Sequence, residues 1–190
     1  VESTTNGSST VSSDANLYLK GYGLSVKEKF SNSGNIHLYG TQLSSSTPTI
    51  VLPTDSSNVS ENGTWYFFGN GSGTLSNIEN LSYKNVVIEG SGNLASNSDS
   101  PGTYSVAAEK LTFKPAVSDS TGATLTLPSD ASTIAVPSVV LDASGITTTI
   151  DASSSESFTV SCTDGLSGEG TLAINGGSAA VAEIGGAVSL

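Results

Sequence analysis

The chain has 190 residues, of which 57 are Ser or Thr and 21 are Gly, and its formal net charge is −11. Six Lys and no Arg stand against 17 acids, so the chain lacks the cations with which proteins bind nucleic acid or an anionic membrane surface. No apolar run approaches the ~18 residues of a membrane-spanning helix, so we expect no membrane insertion.

The first segment, residues 1–13, is polar, and Val1 and Val11 are its only large apolar residues. Such a composition is typical of a frayed terminus. The alternative is an arm that pairs with the sheet edge of a neighbouring subunit. We therefore expect a flexible or subunit-pairing N-terminal arm over residues 1–13, followed by a single all-β domain over residues 14–190.

Short segments in which apolar and polar residues alternate predict β-strands along the rest of the chain. Alternation is clear at Ile36 and Leu38 and again at Leu125 and Leu127. Clusters of Gly, Ser, Thr and Asn between the segments predict turns, and no window has convincing helical periodicity. The predicted strands cover residues 16–20, 35–39, 64–68, 84–89, 110–114, 124–127, 139–141, 148–150, 157–160 and 171–175.

The order of these strands and turns favours an irregular β-solenoid, similar to a parallel β-helix, with Gly, Ser, Thr and Asn at its corners. The recurring figure is an apolar strand that runs into a glycine turn, as at Ile88, Gly90 and Gly92. The strand starts have no fixed period, and an irregular solenoid does not require one. An antiparallel β-sandwich or jelly roll is the alternative.

The composition of the chain changes near its middle. All six Lys and all but one of the aromatic residues lie at or before Lys114, and Phe158 is the one aromatic residue after it. The acids from Asp119 to Glu183 are accompanied by no Lys or Arg. This change indicates either a sub-boundary near residues 115–123 or one continuous fold with a narrowing core, and we favour the continuous fold.

Residues for covalent catalysis are few, since the chain has one His and one Cys. His37 stands between two apolar neighbours, so its side chain is expected on the outer face of a strand. Cys162 follows a predicted strand, and we expect a buried thiol with no disulfide. No nucleophile motif accompanies either residue, so we expect no enzymatic activity. Polysaccharide degradation by paired carboxylates is a less favoured alternative.

The triplet Asp-Ala-Ser occurs three times, beginning at Asp130, Asp142 and Asp151. Each triplet comes shortly after an apolar strand, so each Asp is expected to form a turn in which its carboxylate accepts a bond from a backbone N–H two residues on. The alternative is a calcium site to which neighbouring turns contribute carboxylates and carbonyls. We expect no cofactor, with calcium at these three residues as the alternative.

Four consecutive large residues, 65–68, combine an indole with three phenyl rings. In a strand, alternation exposes either Trp65 and Phe67 or Tyr66 and Phe68. Exposed rings would form a stacking platform for sugars, whereas buried rings would fill the core. Trp65, Tyr66 and Phe68 are therefore candidates to bind cell-surface glycans.

Residues 73–81, followed by residues 86–92, set short apolar strands between turns of Gly, Ser, Thr and Asn. In this style the chain resembles β-solenoid surface proteins of bacteria and archaea, namely autotransporter passengers, S-layer proteins and surface filament subunits. The richness in Ser and Thr and the scarcity of Lys, Cys and Met add to the resemblance. It implies an extracellular, cell-surface location and a structural or adhesive role, and it assigns no catalytic residue.

Residues 176–190 are small, apolar and nearly uncharged, which indicates a segment that docks. A solenoid without a polar cap exposes backbone groups and apolar side chains at its end. Our leading hypothesis is an extracellular structural protein that self-assembles head-to-tail, as a homopolymer, into a surface filament or layer. An adhesin or carbohydrate-binding module on a β-solenoid scaffold is the alternative.

Overall fold

The computed structural model of the protein describes residues 3–5, 7–20, 22–38, 50–67, 73–75, 82–94, 107–115, 122–127, 129, 133–154, 157–177 and 179–190. Strands make up most of these residues, and a 3₁₀ turn, Ser56–Asn58, is the one helical element among them. The strands are β1 (Ser3–Thr5), β2 (Ser9–Val11), β3 (Asn16–Tyr18), β4 (Leu24–Val26), β5 (Phe30–Asn32), β6 (Asn35–Leu38), β7 (Ile50–Val51), β8 (Val59–Glu61), β9 (Thr64–Phe67), β10 (Gly73–Leu75), β11 (Ser82–Glu89), β12 (Ser91–Leu94), β13 (Ala107–Lys114), β14 (Thr124–Thr126), β15 (Thr133–Ala152), β16 (Ser157–Gly176), β17 (Ala179–Ile184) and β18 (Ala187–Ser189).

The strands stack in parallel, turn upon turn. β4 pairs with β1, β5 with β2 and β6 with β3, and β7, β8 and β9 continue the three stacks in the same order. We name these stacks the first, second and third faces. The fold is a β-solenoid, as predicted. Every pairing among the described residues is parallel, so the antiparallel sandwich or jelly roll is wrong.

The later turns keep the same order of faces with longer strands. β15 passes through all three faces, with residues 133–136 on the second face, 138–142 on the third and 147–152 on the first. Its register with β16 shifts between Val136 and Ser138 and again between Asp142 and Thr147. These shifts are the corners of the solenoid, where a bulge changes the direction of the strand.

The turns differ in length, which explains why the sequence has no fixed period. Asn16 and Asn35 are neighbours in adjacent turns and are 19 positions apart, whereas Asn32 and Glu61 are neighbours that are 29 positions apart. Stacking requires that the strands register, and it leaves the length of the loops between them unrestricted.

The core consists of columns in which inward side chains of successive turns lie on one another. In β9, Trp65 and Phe67 are 0% and 1% exposed, while Thr64 and Tyr66 point outward. Full burial of one large apolar side chain stabilises a fold by about 1.5–3 kcal/mol, so the columns supply much of the stability. The third-face column runs through Leu17, Ile36, Trp65, Val86, Leu111, Val139, Leu166 and Val188.

Most of the segment expected as an N-terminal arm lies within the first turn. β1 and β2 pair with β4 and β5 of the same chain, and Val11 is buried in the core. Backbone pairing within the solenoid therefore orders a segment whose side chains are mostly polar. Near the expected sub-boundary, residues 116–121 lie outside the described residues, and the pairing of β13 with β15 joins the two parts in one sheet. Cys162 is buried and forms no disulfide, as expected.

Candidate functional site

A column of stacked rings crosses the outer side of the third face. Tyr18, His37 and Tyr66 occupy equivalent positions in β3, β6 and β9. The Tyr18 and His37 ring centroids are 4.5 Å apart at an interplanar angle of 16°, and those of His37 and Tyr66 are 4.3 Å apart at 14°. The outward orientation predicted for His37 is therefore confirmed. The two tyrosine rings cover both faces of the His37 ring.

Two side-chain amides lie beside His37. His37 Nε2 lies 3.2 Å from Asn16 Oδ1, which also accepts a bond of 3.1 Å from Asn35 Nδ2. In the neutral tautomer that carries its proton on Nε2, the imidazole donates to Asn16 Oδ1. Burial lowers the pKa of His37, and the positive charge of Lys114 lowers it further. The column is thus an uncharged, amide-buttressed surface at neutral pH.

A charged pair borders this column. Lys114 Nζ lies 5.9 Å from the centroid of the Tyr66 ring and 4.0 Å from Glu89 Oε1. The Glu89 side chain is buried, so its carboxylate depends on Lys114 for compensation. These two residues register directly across β11 and β13.

The structure directs Trp65 and Tyr66, two of the three residues expected to bind glycans, to opposite sides of β9. Trp65 lies in the core with no exposed surface, because alternation in β9 directs it inward. Tyr66 lies on the outer face, but the His37 imidazole covers one face of its ring. Phe68 lies outside the described residues. Trp65 therefore contributes no ring to an exposed stacking platform.

Asp142 and Asp151, the two expected cation ligands that the structure describes, lie on different faces. Asp151 Oδ1 accepts a bond of 3.1 Å from the Ser153 N–H, which confirms the turn predicted for this triplet. Asp142 is exposed and registers with Glu169, whereas Asp151 registers with Asn175 on another face. Asp130 lies outside the described residues. Within the ranges that the structure describes, no three His, Cys, Asp or Glu residues are grouped so that they could hold a metal ion.

A buried polar cluster holds the corner between the second and third faces. Glu61 Oε1 accepts bonds of 2.9 Å from Asn32 Nδ2 and from the Gly63 N–H, and Glu61 Oε2 accepts one of 2.9 Å from Trp65 Nε1. Burial raises the pKa of Glu61, although these three bonds act in the opposite direction. Asn32 Oδ1 accepts from the Gly34 N–H two residues further along the same turn. The cluster is structural, since its donors and acceptors satisfy one another.

The last turn leaves apolar side chains exposed. Val188 in β18 is the last described member of the third-face column and is 57% exposed, whereas its neighbour Leu166 is buried. Ile184 in β17 registers with buried Cys162 and is 39% exposed. Leu190 is exposed as well. The Val188 and Ile184 side chains continue inward columns, but no described strand covers them, so with Leu190 they form an apolar end surface beside the open edges of β17 and β18.

The two ends of the solenoid differ in charge. The last two turns carry Asp164, Glu169 and Glu183 on exposed positions, and the sequence has no Lys or Arg after Lys114. The first two turns carry three exposed lysines among the described residues: Lys20, Lys27 and Lys29. The first two turns also carry the exposed acids Asp14 and Glu28, so a purely acidic end and an end of mixed charge are separated by the length of the solenoid.

Sequence reasoning missed the ring column and the corner cluster. Tyr18, His37 and Tyr66 meet because β3, β6 and β9 register, and turns of unequal length hide that register in the sequence. A signal for the corner was present, since residues 32–34 and 61–63 both place a polar residue two positions before a glycine.

Comparison with known proteins adds no further identification. No family model matches the chain, and neither a curated protein nor a solved structure was found to match it. Among the described residues, no helix has the length and hydropathy to cross a membrane. The β-solenoid fold and its surfaces are therefore the basis for a functional proposal.

Proposed function

We propose that the protein is an extracellular structural subunit that self-assembles head-to-tail into a surface filament or layer. The observation that carries this proposal is the apolar end surface, on which Val188 and Ile184 extend inward columns of the core into solvent. Exposed side chains that continue a core, together with open strand edges, favour coverage by a further turn of solenoid. A second copy of the chain supplies such a turn.

Charge favours contact between unlike ends. A tail-to-tail contact would oppose Asp164, Glu169 and Glu183 of one copy with the same acids of another, which repel within a Debye length of about 8 Å. A head-to-tail contact sets these acids against turns of mixed charge, where Lys20, Lys27 and Lys29 accompany Asp14 and Glu28, so the repulsion is smaller. Such a contact is heterologous and produces an open filament when its rotation does not close.

The extracellular location is part of the proposal and has its support in composition. The chain has 57 Ser and Thr residues, a single Cys and no Arg, and its polar turns surround a fold that is nearly all strand. These features are the ones in which it resembles surface solenoids. A filament built by stacking turns would be continuous in backbone hydrogen bonding along its length.

The proposal is tested by altering the end surface and measuring assembly. Val188→Glu and Ile184→Glu place a carboxylate in the proposed contact, and each is expected to weaken assembly at least about tenfold, or 1.4 kcal/mol. The matched control is Val51→Glu, because Val51 is 47% exposed on β7, away from both ends. Sedimentation velocity measures particle size. Equal assembly of the three variants would contradict the proposal.

A second candidate function is carbohydrate binding on the outer surface. Tyr18 and Tyr22 are 49% and 51% exposed, and the amides of Asn16 and Asn35 lie beside the Tyr18 ring column. Aromatic rings beside fixed polar groups are common in ligand sites. A glycan array probed with the wild type and with Tyr18→Ala and Tyr22→Ala tests this function. An array with no bound glycan would count against it.

A further inference from the structure

The corner between β8 and β9 contains an Asn-Gly pair, in which Asn62 is exposed and Gly63 is buried. In such a pair the backbone nitrogen of the glycine can attack the side-chain amide carbon of the asparagine, because glycine has no Cβ to hinder the approach. The N–Cγ bond forms, the Cγ–Nδ2 bond breaks, and the proton of the backbone nitrogen leaves with Nδ2 as ammonia. Water then opens the succinimide to aspartate or isoaspartate.

Packing requires the glycine at this corner. A Cβ on Gly63 would overlap the side-chain amide of Asn32 and the carbonyl oxygen of Gly34, which both belong to the preceding turn. Any larger residue would therefore displace the Asn32 amide or the backbone of that turn. The close approach of the two turns thus selects the residue that makes Asn62 open to attack.

Hydrogen bonds hold this corner in a geometry that opposes the reaction. The N–H groups of Asn62 and Thr64, on either side of Gly63, donate to backbone carbonyls of the preceding turn at 2.7 and 2.9 Å. The Gly63 N–H donates to Glu61 Oε1 at 2.9 Å, and the Asn62 amide donates to Ser60 Oγ at 3.3 Å. Attack would require the Gly63 nitrogen to give up its bond and turn its electron pair toward Asn62 Cγ, since reacting groups must be close and aligned.

The charge of Glu61 acts in the same direction. The nitrogen attacks after losing its proton, and a carboxylate 2.9 Å away disfavours a second negative charge beside it. An amide N–H is a far weaker acid than a carboxylic acid, so the Glu61 carboxylate does not remove the proton itself. Glu61 also accepts from Asn32 Nδ2 and Trp65 Nε1, and these two bonds hold the carboxylate in place.

We propose that Asn62-Gly63 is a latent site of spontaneous deamidation, which the Glu61 carboxylate keeps unreactive in the folded protein. Loss of the bond between Gly63 and Glu61 exposes the site to reaction. The product places a new carboxylate next to Glu61, and isoaspartate also adds one atom to the backbone between β8 and β9. Both changes oppose the return of the corner to its native hydrogen bonds. The inference concerns chemistry within one chain and is independent of the proposed assembly.

Peptide mass spectrometry of the full chain after incubation in warm neutral buffer measures the rate at Asn62, since replacing NH2 by OH raises the peptide mass. In the folded wild type, Asn62 is expected to react at least about tenfold more slowly than in the same chain unfolded in urea. Glu61→Ala is expected to raise the rate in the folded protein at least about tenfold, because the Gly63 N–H loses its charged acceptor. Equal rates in the folded and unfolded wild type would overturn the proposal.

The matched control is Gly168→Ala, which destabilises the fold by crowding the backbone of Leu141 and leaves the corner unchanged. We expect it to react at Asn62 more slowly than Glu61→Ala. Equal rates in these two variants would show that global unfolding controls the reaction, and this result would overturn the role of Glu61. A slower reaction in Glu61→Ala than in the wild type would make Glu61 a base for the attack, which is the opposite of the proposal.

Glu61→Gln is the second variant and replaces Glu61→Ala if circular dichroism shows that Glu61→Ala does not fold. The glutamine keeps an oxygen for the Gly63 N–H and removes the charge. Its rate at Asn62 is expected to lie above that of the folded wild type and below that of the unfolded chain. A rate equal to either of these would contradict a protective carboxylate.

Discussion

The indole Nε1–H of Trp65 donates a hydrogen bond of 2.9 Å to Glu61 Oε2, and this bond joins a fully buried core residue to a corner of the solenoid. The other carboxylate oxygen accepts from the Asn32 amide and from the Gly63 N–H. One carboxylate therefore satisfies three donors from two successive turns. The corner depends on this cluster as well as on apolar packing, because buried donors without acceptors are costly.

Replacing Glu61 with Ala is expected to destabilise the protein by about 3 kcal/mol, because the three donors lose their acceptor. Glu61→Gln should cost less, since its remaining oxygen still accepts from two of them. Ser60→Ala, at an exposed neighbouring position, is the control and should change stability by less than about 0.5 kcal/mol. Urea denaturation measures the free energy of unfolding. A Glu61→Ala variant as stable as the control would refute the role of the cluster.

Stability is expected to fall as the pH decreases below 6.5, the ordinary pKa of His37. Burial and Lys114 lower the pKa of His37 in the folded state, so the unfolded chain binds the proton first. The contribution of neutral His37 is complete above 6.5 and is lost as the pH falls to the lower folded-state pKa. Urea midpoints at several pH values measure this loss.

His37→Gln is the comparison that isolates this titration, and its stability should be flatter across the same range. Glu61 acts in the opposite direction, because its pKa is raised and its protonation at lower pH favours the folded state. If the wild type and His37→Gln show the same pH dependence between neutral pH and pH 5, the ring column does not hold His37 in its neutral form.

Gly145 and Gly168 both have positive φ, but only Gly168 is crowded by a neighbouring turn. Comparing their Ala variants therefore separates the cost in stability of the backbone conformation from the cost of crowding. Gly145 has φ +71° and open space around it, so Gly145→Ala should cost only about 1 kcal/mol. Gly168 has φ +114°, and a Cβ there would overlap the carbonyl oxygen of Leu141 in the preceding turn. Gly168→Ala should therefore cost about 3 kcal/mol or more. Equal thermal shifts for the two variants would show that the turns do not approach closely at Gly168.

The alternation of apolar residues predicted several of the strands and their inward sides correctly. Ile36 and Leu38, like Leu125 and Leu127, are buried as their spacing indicated. This succeeded because one face of each strand contacts the core, and burial imposes a period of two on the sequence. The prediction of a parallel solenoid was based on the glycine corners that recur after short strands.

Other strands could not be predicted because their pairing does not depend on apolar side chains. β1 and β12 contain mostly small or polar residues, and the backbone of neighbouring turns holds them in register. β15 and β16 each run for 20 residues, although their sequences indicate several short strands, because pairing continues around the corners. Turns of unequal length likewise conceal the ring column of Tyr18, His37 and Tyr66.

The most direct test of head-to-tail assembly is negative-stain electron microscopy of the wild-type protein over a range of concentrations, beside Val188→Glu and Val51→Glu. We expect filaments or layers for the wild type and for Val51→Glu, and dispersed particles for Val188→Glu, because only the last substitution charges the apolar end surface. Dispersed single particles of the wild type at every concentration would contradict the account.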